Sequence, residues 1–546
     1  MSFVALYENA LDFATAGIYT PVRSNRLWNC LEGYPNRMQI YSGFRDGFRI
    51  GITLPFNRDP VKKQQKYINL NELANKLNTE LENGRILGPY ADMPIENLIV
   101  SPLYVVPKST PGKFRLIHDL SHPETNSVNL HIDDSEKSVQ YCSLVDVARY
   151  LVLMKRNQSW WMSKVDLKDA YRCVPIHRDD WRYLGMMFQD KYLCDICLPM
   201  GLGTSCRIFT EISNALAWMF KQQNPRAAIF NYLDDFLIMA ADKEQCQSAL
   251  DNFLSTLEYN GFPVSHEKTV LPCQSIEFLG LGVNSQNMSY FIPDAKRVKA
   301  VDMITTFLEK NQQKVHSIQK LVGKLTFLCQ SLLPGKALLG SLHEQLRGVL
   351  SQKTWFKRRI NRGVRDDLMV WKTFLVNSTA EKQFKFLFPE EEEPGHTIAT
   401  DASGAIGYGA VMGDQWFSGE WKDRWWQSQN IALLELYPIY AALHSWIHQI
   451  SNSTVCVMTD NMALVSMLNS MYSKDRKINF LLKHCALLTM ENNVVVRACH
   501  IRTDENTIPD RLSRKLDCSH ILSANNEFTL PSSCSKDAVK KLILKL

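Results

Sequence analysis

Tyr232-Leu-Asp-Asp-Phe-Leu-Ile238 sets two adjacent aspartates, Asp234 and Asp235, between short apolar runs, Ile229 to Tyr232 and Phe236 to Ala240, that read as β-strands. Upstream, Lys164-Val-Asp-Leu-Lys-Asp-Ala-Tyr171 places Asp166 after a similar run. A carboxylate there is costly unless a metal or a polar partner compensates it. Phosphoryl transfer to a growing 3′ end needs two divalent cations about 3.5–4 Å apart. Magnesium keeps several waters and takes one or two protein carboxylates directly, so two or three aspartates from different strands are the protein's minimal share. Adjacent aspartates are also commonplace in turns, so the weight falls on what surrounds them.

Working outward, segment 60–100 reads as helix, with Ile68, Leu70, Leu73, Ala74 and Leu77 near helical spacing, followed by a Gly-Pro-rich loop at 84–94. Leu103 to Asp119 reads as a β-hairpin around Ser109-Thr110-Pro111-Gly112, with Lys108, Lys113 and Arg115 at its polar tip. Further strand-like runs at Lys164 to Leu167 and Tyr192 to Leu198, with a helix at Cys206 to Lys221, make the pattern α+β rather than a regular βαβ alternation. From Asp294 to Val376 the pattern is helical, with Ile318, Leu321, Val322, Leu325 and Leu328 on one stripe. Phe388-Pro-Glu-Glu-Glu-Glu-Pro-Gly395 breaks the composition and marks a domain boundary. Beyond it, Thr397 to Glu420 reads as strands, Ile431 to Ile450 as helix, and Thr454 to Thr459 and Asn493 to Ile501 as strands.

At 546 residues the chain exceeds one hydrophobic core, and 45% hydrophobic with 22% charged residues excludes disorder as the dominant state. The net charge of +6 fits a polyanionic partner without requiring one. One basic run, Lys353 to Arg365, reads by itself as a solvated helix face. Fourteen cysteines without a paired framework, and a start lacking a charged leader and long apolar segment, imply an intracellular, reducing location, cytoplasm or nucleus. Cys194 and Cys197 lack a second metal-ligand pair and read as core or surface thiols. No apolar run is long enough to span a membrane, so none is expected as a partner.

Together these residues resemble a retroelement reverse transcriptase with ribonuclease H. Asp166-x-x-Asp-Ala-Tyr171 resembles the first catalytic motif, Leu198-Pro-Met-Gly-Leu-Gly-Thr-Ser205 the template- and nucleotide-positioning motif, and Tyr232-Leu-Asp-Asp235 the second catalytic motif. Gly261-Phe262 with Lys268, then Phe278-Leu-Gly280, resemble the two motifs that follow, in the same order. Val106-Pro-Lys108 and Phe114-Arg115-Leu-Ile-His-Asp119 resemble the fingers hairpin, which implies that Lys108 and Arg115 clamp an incoming triphosphate, with Met200 and Gly201 beside it. Met200 departs from the glutamine or phenylalanine often found there. The resemblance gives Tyr171 the role of excluding a 2′-hydroxyl, against a plain core tyrosine. It gives Lys268 a place near the pyrophosphate as a proton donor, against a snorkelling surface lysine.

The phrases Gly43-Phe-Arg-Asp-Gly-Phe-Arg-Ile-Gly51, Gly84-Arg-Ile-Leu-Gly-Pro-Tyr90, Ser101-Pro-Leu-Tyr-Val-Val-Pro107 and Cys206-Arg-Ile-Phe209 resemble the tyrosine-recombinase retrotransposons of DIRS and Ngaro type. In the last third, Asp401, Glu435, Asp460 and Asp510 resemble the Asp-Glu-Asp-Asp set of the ribonuclease H fold, with Asn506 where an asparagine is expected and His500 either aiding product release or structural.

The resemblance implies an α+β multidomain chain: a right-hand polymerase followed by an α/β ribonuclease H fold. It implies an N-terminal extension over 1–65, fingers and palm over 66–293, thumb or connection over 294–388, a linker over 389–396, ribonuclease H over 397–516 and a tail over 517–546. Two Mg²⁺ per site, with Mn²⁺ as substitute, would be held by Asp166, Asp234 and Asp235 and by Asp401, Glu435, Asp460 and Asp510. RNA template, DNA or RNA primer, RNA–DNA hybrid and deoxynucleoside triphosphates are the expected partners. Lys357, Arg358, Arg359 and Arg362 would then grip phosphates. A catalytically silent nucleic-acid-binding descendant, or the same enzyme from a hepadnavirus-like or Ty3-like element, are the alternatives.

Overall fold

The computed structural model describes residues 13, 16–58, 70–108, 112–154, 160–349, 355–377, 381–388 and 393–544. The chain divides into two units of mixed helix and sheet, Met1–Leu279 and Gly280–Leu546. All fourteen cysteines are free, and Cys194 and Cys197 are buried core thiols. Among the described residues no helix is long and apolar enough to cross a membrane.

The first unit contains strands β1 (Ile86–Tyr90), β2 (Leu103–Pro107), β3 (Phe114–His118), β4 (Trp161–Asp166), β5 (Gly185–Phe188), β6 (Lys191–Asp195), β7 (Ala228–Tyr232), β8 (Asp235–Ala240), β9 (Val270–Cys273) and β10 (Ser275–Phe278). Strands β7, β8, β4 and β9 form an antiparallel sheet in that spatial order. From Phe236 to Ala240 every side chain of β8 is buried, so both faces are covered, as its uninterrupted apolar run requires. Helix Lys243–Asn260 covers one side; Asp242 caps its start and Gly261, at φ +83°, ends it. Phe253 of that helix meets Phe236 at 5.2 Å and Phe220 of helix Ser205–Gln223 at 5.6 Å between ring centroids.

Segment 16–58 belongs to the same core. Leu27, Ile40 and Phe44 of helices Ser24–Cys30 and Arg37–Asp46 are buried in the cluster that holds Phe236 and Phe253. Arg49 forks onto Asp180 at 2.9 and 3.0 Å, and the Ile50 amide donates to the same carboxylate, which is 1% exposed. Gly47 lies at φ +94°, where a Cβ would stand 2.3 Å from the His177 nitrogen.

Several sequence-based expectations change in detail. The helix expected over 60–100 spans Leu70–Glu82, then gives way to β1, because Gly84 and Gly88 take positive φ and Pro89 cannot continue a helix. Residues 59–69 lie outside the described residues. The hairpin is present as β2 and β3, with 109–111 of its tip outside the described residues. The strand expected over 192–198 ends at Asp195.

The second unit contains β11 (Leu281–Asn284), β12 (Ser289–Phe291), β13 (Gln312–Lys314), β14 (Lys357–Arg359), β15 (Lys382–Gln383), β16 (His396–Ala402), β17 (Gly407–Met412), β18 (Gln415–Glu420), β19 (Thr454–Thr459) and β20 (Val495–His500). The last five form one sheet in the order β18-β17-β16-β19-β20, antiparallel through β16 and parallel from β16 to β20. Helix Ile431–Ser445 is buried from Ala432 to Leu443, and the helix expected to reach Ile450 is interrupted at Trp446. The stripe Ile318, Leu321, Val322, Leu325 and Leu328 is buried as expected on helix Val315–Leu328.

The basic run does not form one helix face. Lys357, Arg358 and Arg359 form β14, paired with β13, and a helix begins only at Arg362; 351–354 lie outside the described residues. The segment expected as a linker falls inside this unit, with 389–392 outside the described residues. Around it Lys483 meets Asp367 at 2.7 Å, the two side chains 16% and 7% exposed. The expected tail is also built in: Phe528 N donates to Trp416 O, Tyr437 Oη to Cys534 O, and Val539 and Ile543 of helix Lys536–Ile543 are buried.

Lys382 tests this second core. Burial pulls its ammonium down to about 8, although its Nζ donates to Asn493 Oδ1 at 2.6 Å. Below pH 8 the folded chain carries a half-buried charge; between about 8 and 10.5 the unfolded chain keeps a proton the folded one has released. Stability therefore rises with pH across that window, by about 2 kcal/mol after allowing for partial exposure. Urea unfolding of Lys382→Met should show higher stability at pH 7 than the parent and no such rise.

Candidate active sites

The first cluster follows from register. On β4 and β8, Asp166 lies directly opposite Asp235, and β8 pairs Asp235 with Tyr232 of β7, leaving Leu233-Asp234 as the connecting turn. Leu233 takes φ +52°, the left-handed conformation such a two-residue turn favours. The Leu167 amide donates to Asp234 O at 3.1 Å, tying that turn to the end of β4. Three carboxylates thus converge at one end of the sheet.

Their charges repel. Burial, then the charge of Asp166, with Asp235 adding, pushes the Asp234 carboxyl up to about 6. Burial also raises Asp235, opposed by Lys164, whose Nζ is 3.6 Å away. Asp166, 7% exposed, accepts from Lys268 Nζ at 2.7 Å. Lys164 was not anticipated from the sequence, though its position two residues before Asp166 puts it on the same face of the strand.

Lys108, Arg115 and Met200 line one cleft together with Lys76, Asp169 and Pro199. Burial lowers the Lys108 ammonium, Asp169 opposes that, and the charges of Lys76, Arg115 and Lys268 lower it further. The cleft is tied to the sheet by polar contacts. Met200 O accepts from the His118 amide at 3.0 Å, and Asn129 donates to Gly201 O and accepts from the Gly203 amide. Gly201 lies at φ +123°, where a Cβ would fall 1.9 Å from His118 O. Beneath, Arg172 bridges Asp195 at 2.6 Å and Glu80 at 2.8 Å. Tyr171 is half-buried: its hydroxyl donates to Cys206 Sγ at 3.3 Å, its ring lies 5.3 Å from Phe209, and the charge of Asp234 reaches it.

The second cluster gathers residues from four elements. Asp401 is on β16, Glu435 in the buried helix Ile431–Ser445, Asp460 just past β19, and Asp510 in helix Thr507–Ser513. Burial pushes Glu435 up to about 7, with Asp460 and Asp401 adding. Burial likewise raises Asp401, with Asp460 and Asp510 adding and the Ser513 hydroxyl, donating at 2.5 Å, opposing. Thr503 donates to Asp460, and Arg514 to Asp510 at 2.7 Å. Asn506, 1% exposed, donates to Thr400 O, anchoring the Asp510 helix beside Asp401. His500 is exposed at the end of β20, opposite Thr459, the residue before Asp460.

Among the described residues, no three His, Cys, Asp or Glu side chains form a ready coordination shell. The donor chemistry nonetheless suits a hard divalent cation: both clusters hold mutually repelling carboxylates, and Glu435 Oε2 is buried without a hydrogen-bond partner. Lysine, arginine and hydroxyl groups supply the compensating polarity.

Residues 106–283 match the family described as reverse transcriptase (RNA-dependent DNA polymerase). The chain is 26% identical over 303 residues to the Gag-Pol polyprotein of avian reticuloendotheliosis virus, covering 54% of this chain and 24% of that protein. It is 26% identical over 260 residues to the Gag-Pol polyprotein of Rous sarcoma virus subgroup C (strain Prague), covering 45% and 14%. The chain therefore spans about a quarter or less of these relatives. A foamy viral protease-reverse transcriptase in complex with RNA/DNA hybrid aligns with TM-score 0.49 at 15% identity, covering 84% of this chain and 58% of that one. The same protein with double-stranded DNA aligns with TM-score 0.47 at 14% identity, covering 89% and 99%.

Gly201→Ala should cost more than about 2 kcal/mol, because the new methyl meets fixed backbone as well as an unfavourable φ. Gly112→Ala, at φ +74° with nothing within 4 Å, is the control for φ alone and should cost less. Urea unfolding of the two variants measures the difference.

Proposed function

We propose that this chain, whose residues 106–283 match the reverse transcriptase (RNA-dependent DNA polymerase) family, is a retroelement enzyme that copies RNA into DNA at the Asp166, Asp234 and Asp235 cluster. We further propose that it cleaves the RNA strand of the hybrid at the Asp401, Glu435, Asp460 and Asp510 cluster. The observation that carries the reading is the β4–β8 register, which sets Asp166 opposite Asp235 with Asp234 in the adjoining turn, together with a cleft whose lining includes Lys76, Lys108 and Arg115.

Two Mg²⁺, or Mn²⁺ in their place, held by the three aspartates would activate the primer hydroxyl and neutralise the polyphosphate. The chain's own groups do the rest. Lys108 and Arg115 would supply charge-assisted hydrogen bonds to phosphate oxygens at the cleft wall, and Lys268, held on Asp166 at 2.7 Å, would stand at the acid cluster. Tyr171, packed on Phe209 and reached by the charge of Asp234, would be the ring that crowds a 2′-hydroxyl. In the second site, the burial of Glu435 among other acids supports a cation-assisted hydrolysis, with Asn506 and Ser513 holding the Asp510 helix against β16.

RNA template, primer, hybrid and deoxynucleoside triphosphates are the partners this chemistry requires, inside the cell. The tyrosine-recombinase subgroup rests on the four phrases quoted above. Within one of them, Phe44, Phe48 and Ile50 are buried and Arg49 holds Asp180. A neighbouring reading frame for a tyrosine recombinase would test that placement.

Asp234→Asn should abolish primer extension while leaving hybrid cleavage, and Asp460→Asn should do the reverse; loss of both activities from either change would contradict two separate sites. Tyr171→Ala should raise ribonucleotide incorporation relative to deoxynucleotide by about tenfold or more in single-nucleotide extension. A merely structural tyrosine would lower both alike.

A further inference from the structure

The two-stranded antiparallel ribbon β13–β14 has two unlike faces. Inward, Gln313 donates to Phe307 O at 2.6 Å and Arg358 to Arg347 O at 3.4 Å. Outward stand Gln312, Lys314, Lys357 and Arg359, all exposed. Lys314 and Lys357 are directly cross-strand partners, and Gln312 faces Arg359. Like charges so placed destabilise an antiparallel pair. Among the described residues no carboxylate pairs with Lys314, Lys357 or Arg359, whereas nearby Arg362 does have one, Asp366 at 3.6 Å.

Two aromatic side chains lead into β14. Trp355 is 69% exposed, the most exposed aromatic among the described residues, and Phe356 is 49% exposed. Their rings stand 6.4 Å apart in edge-on contact, while Phe356 O accepts from the Val315 amide at 2.9 Å, so the backbone beneath them is tied down. Exposed rings gain most from a flat apolar partner, and uncompensated cations from a polyanion. Unpaired nucleic acid supplies both, because every base offers a π-face and every linkage a phosphate. A duplex hides its base faces, and a membrane surface would be met better by a wide apolar face than by two rings on a cationic ladder.

We infer that this two-stranded ribbon binds an unpaired stretch of nucleic acid, a base stacking on Trp355 with Phe356 at its edge and phosphates lying along Lys314, Lys357 and Arg359. This deepens the proposed function and rests on it only in that the chain handles nucleic acid.

Binding of the full chain to three fluorescent nucleic-acid probes, and separately to phosphatidylserine vesicles, tests it; the probes are single-stranded RNA, a blunt RNA–DNA hybrid, and the same hybrid with an unpaired template extension. Trp355→Ala should weaken the first and third about five- to fiftyfold and leave the second unchanged. Lys357→Ala with Arg359→Ala should also weaken them, and lower the slope of log affinity against log salt by about 1.4. Equal losses on blunt and extended hybrids would overturn the inference in favour of a duplex contact. Unchanged affinities would overturn it too, as would loss of binding to phosphatidylserine vesicles with nucleic-acid binding intact. If the parent chain bound single-stranded RNA through Trp355 but neither hybrid, the proposed function would fail and this inference would stand.

Discussion

The backbone ladder between β4 and β8 is the constraint on which the first unit depends. It sets Asp166 across from Asp235 and leaves Asp234 in the turn. Because side chains alternate along a strand, a slip of one residue would send Asp166 to the opposite face and bury its neighbours wrongly. From Phe236 to Ala240 β8 is apolar on both faces, so its own pattern does not oppose that slip and the packing around it must. Segment 16–58 belongs to that covering core, with Asp180 as its buried polar anchor.

Both clusters solve the same electrostatic difficulty with different materials. Acids brought together under partial burial raise one another's affinity for protons, as Asp234 and Glu435 show. In the first unit two lysines offset the repulsion; in the second a serine hydroxyl and an arginine do so. The arrangement is tolerated because its cost is spread over several elements rather than concentrated on one.

The sequence exposed the local part of this plan. Apolar runs, turn residues and helical stripes located β7, β8, the hairpin β2–β3 and helix Val315–Leu328 to within a few residues. Contacts between distant segments left no periodic signal. Gln312-Gln-Lys314 has no apolar alternation, so nothing marked it as the partner that turns a basic run into a strand. Nor did composition show that the last helix completes a core begun at β16, since its few apolar residues acquire meaning only against Tyr437 and its neighbours. Counter-charges such as Lys164 and Arg514 are visible in sequence only as ordinary basic residues.

That dependence on residues as late as Val539 and Ile543 bears on synthesis. The first unit owns its hydrophobic cluster within the first 279 residues and can close while the remainder is still being translated. The second cannot seal its aromatic interior until the helix Lys536–Ile543 has emerged from the ribosome. A nascent chain therefore holds an unfinished second half beside a finished first one, and a chaperone would find its apolar target in the former.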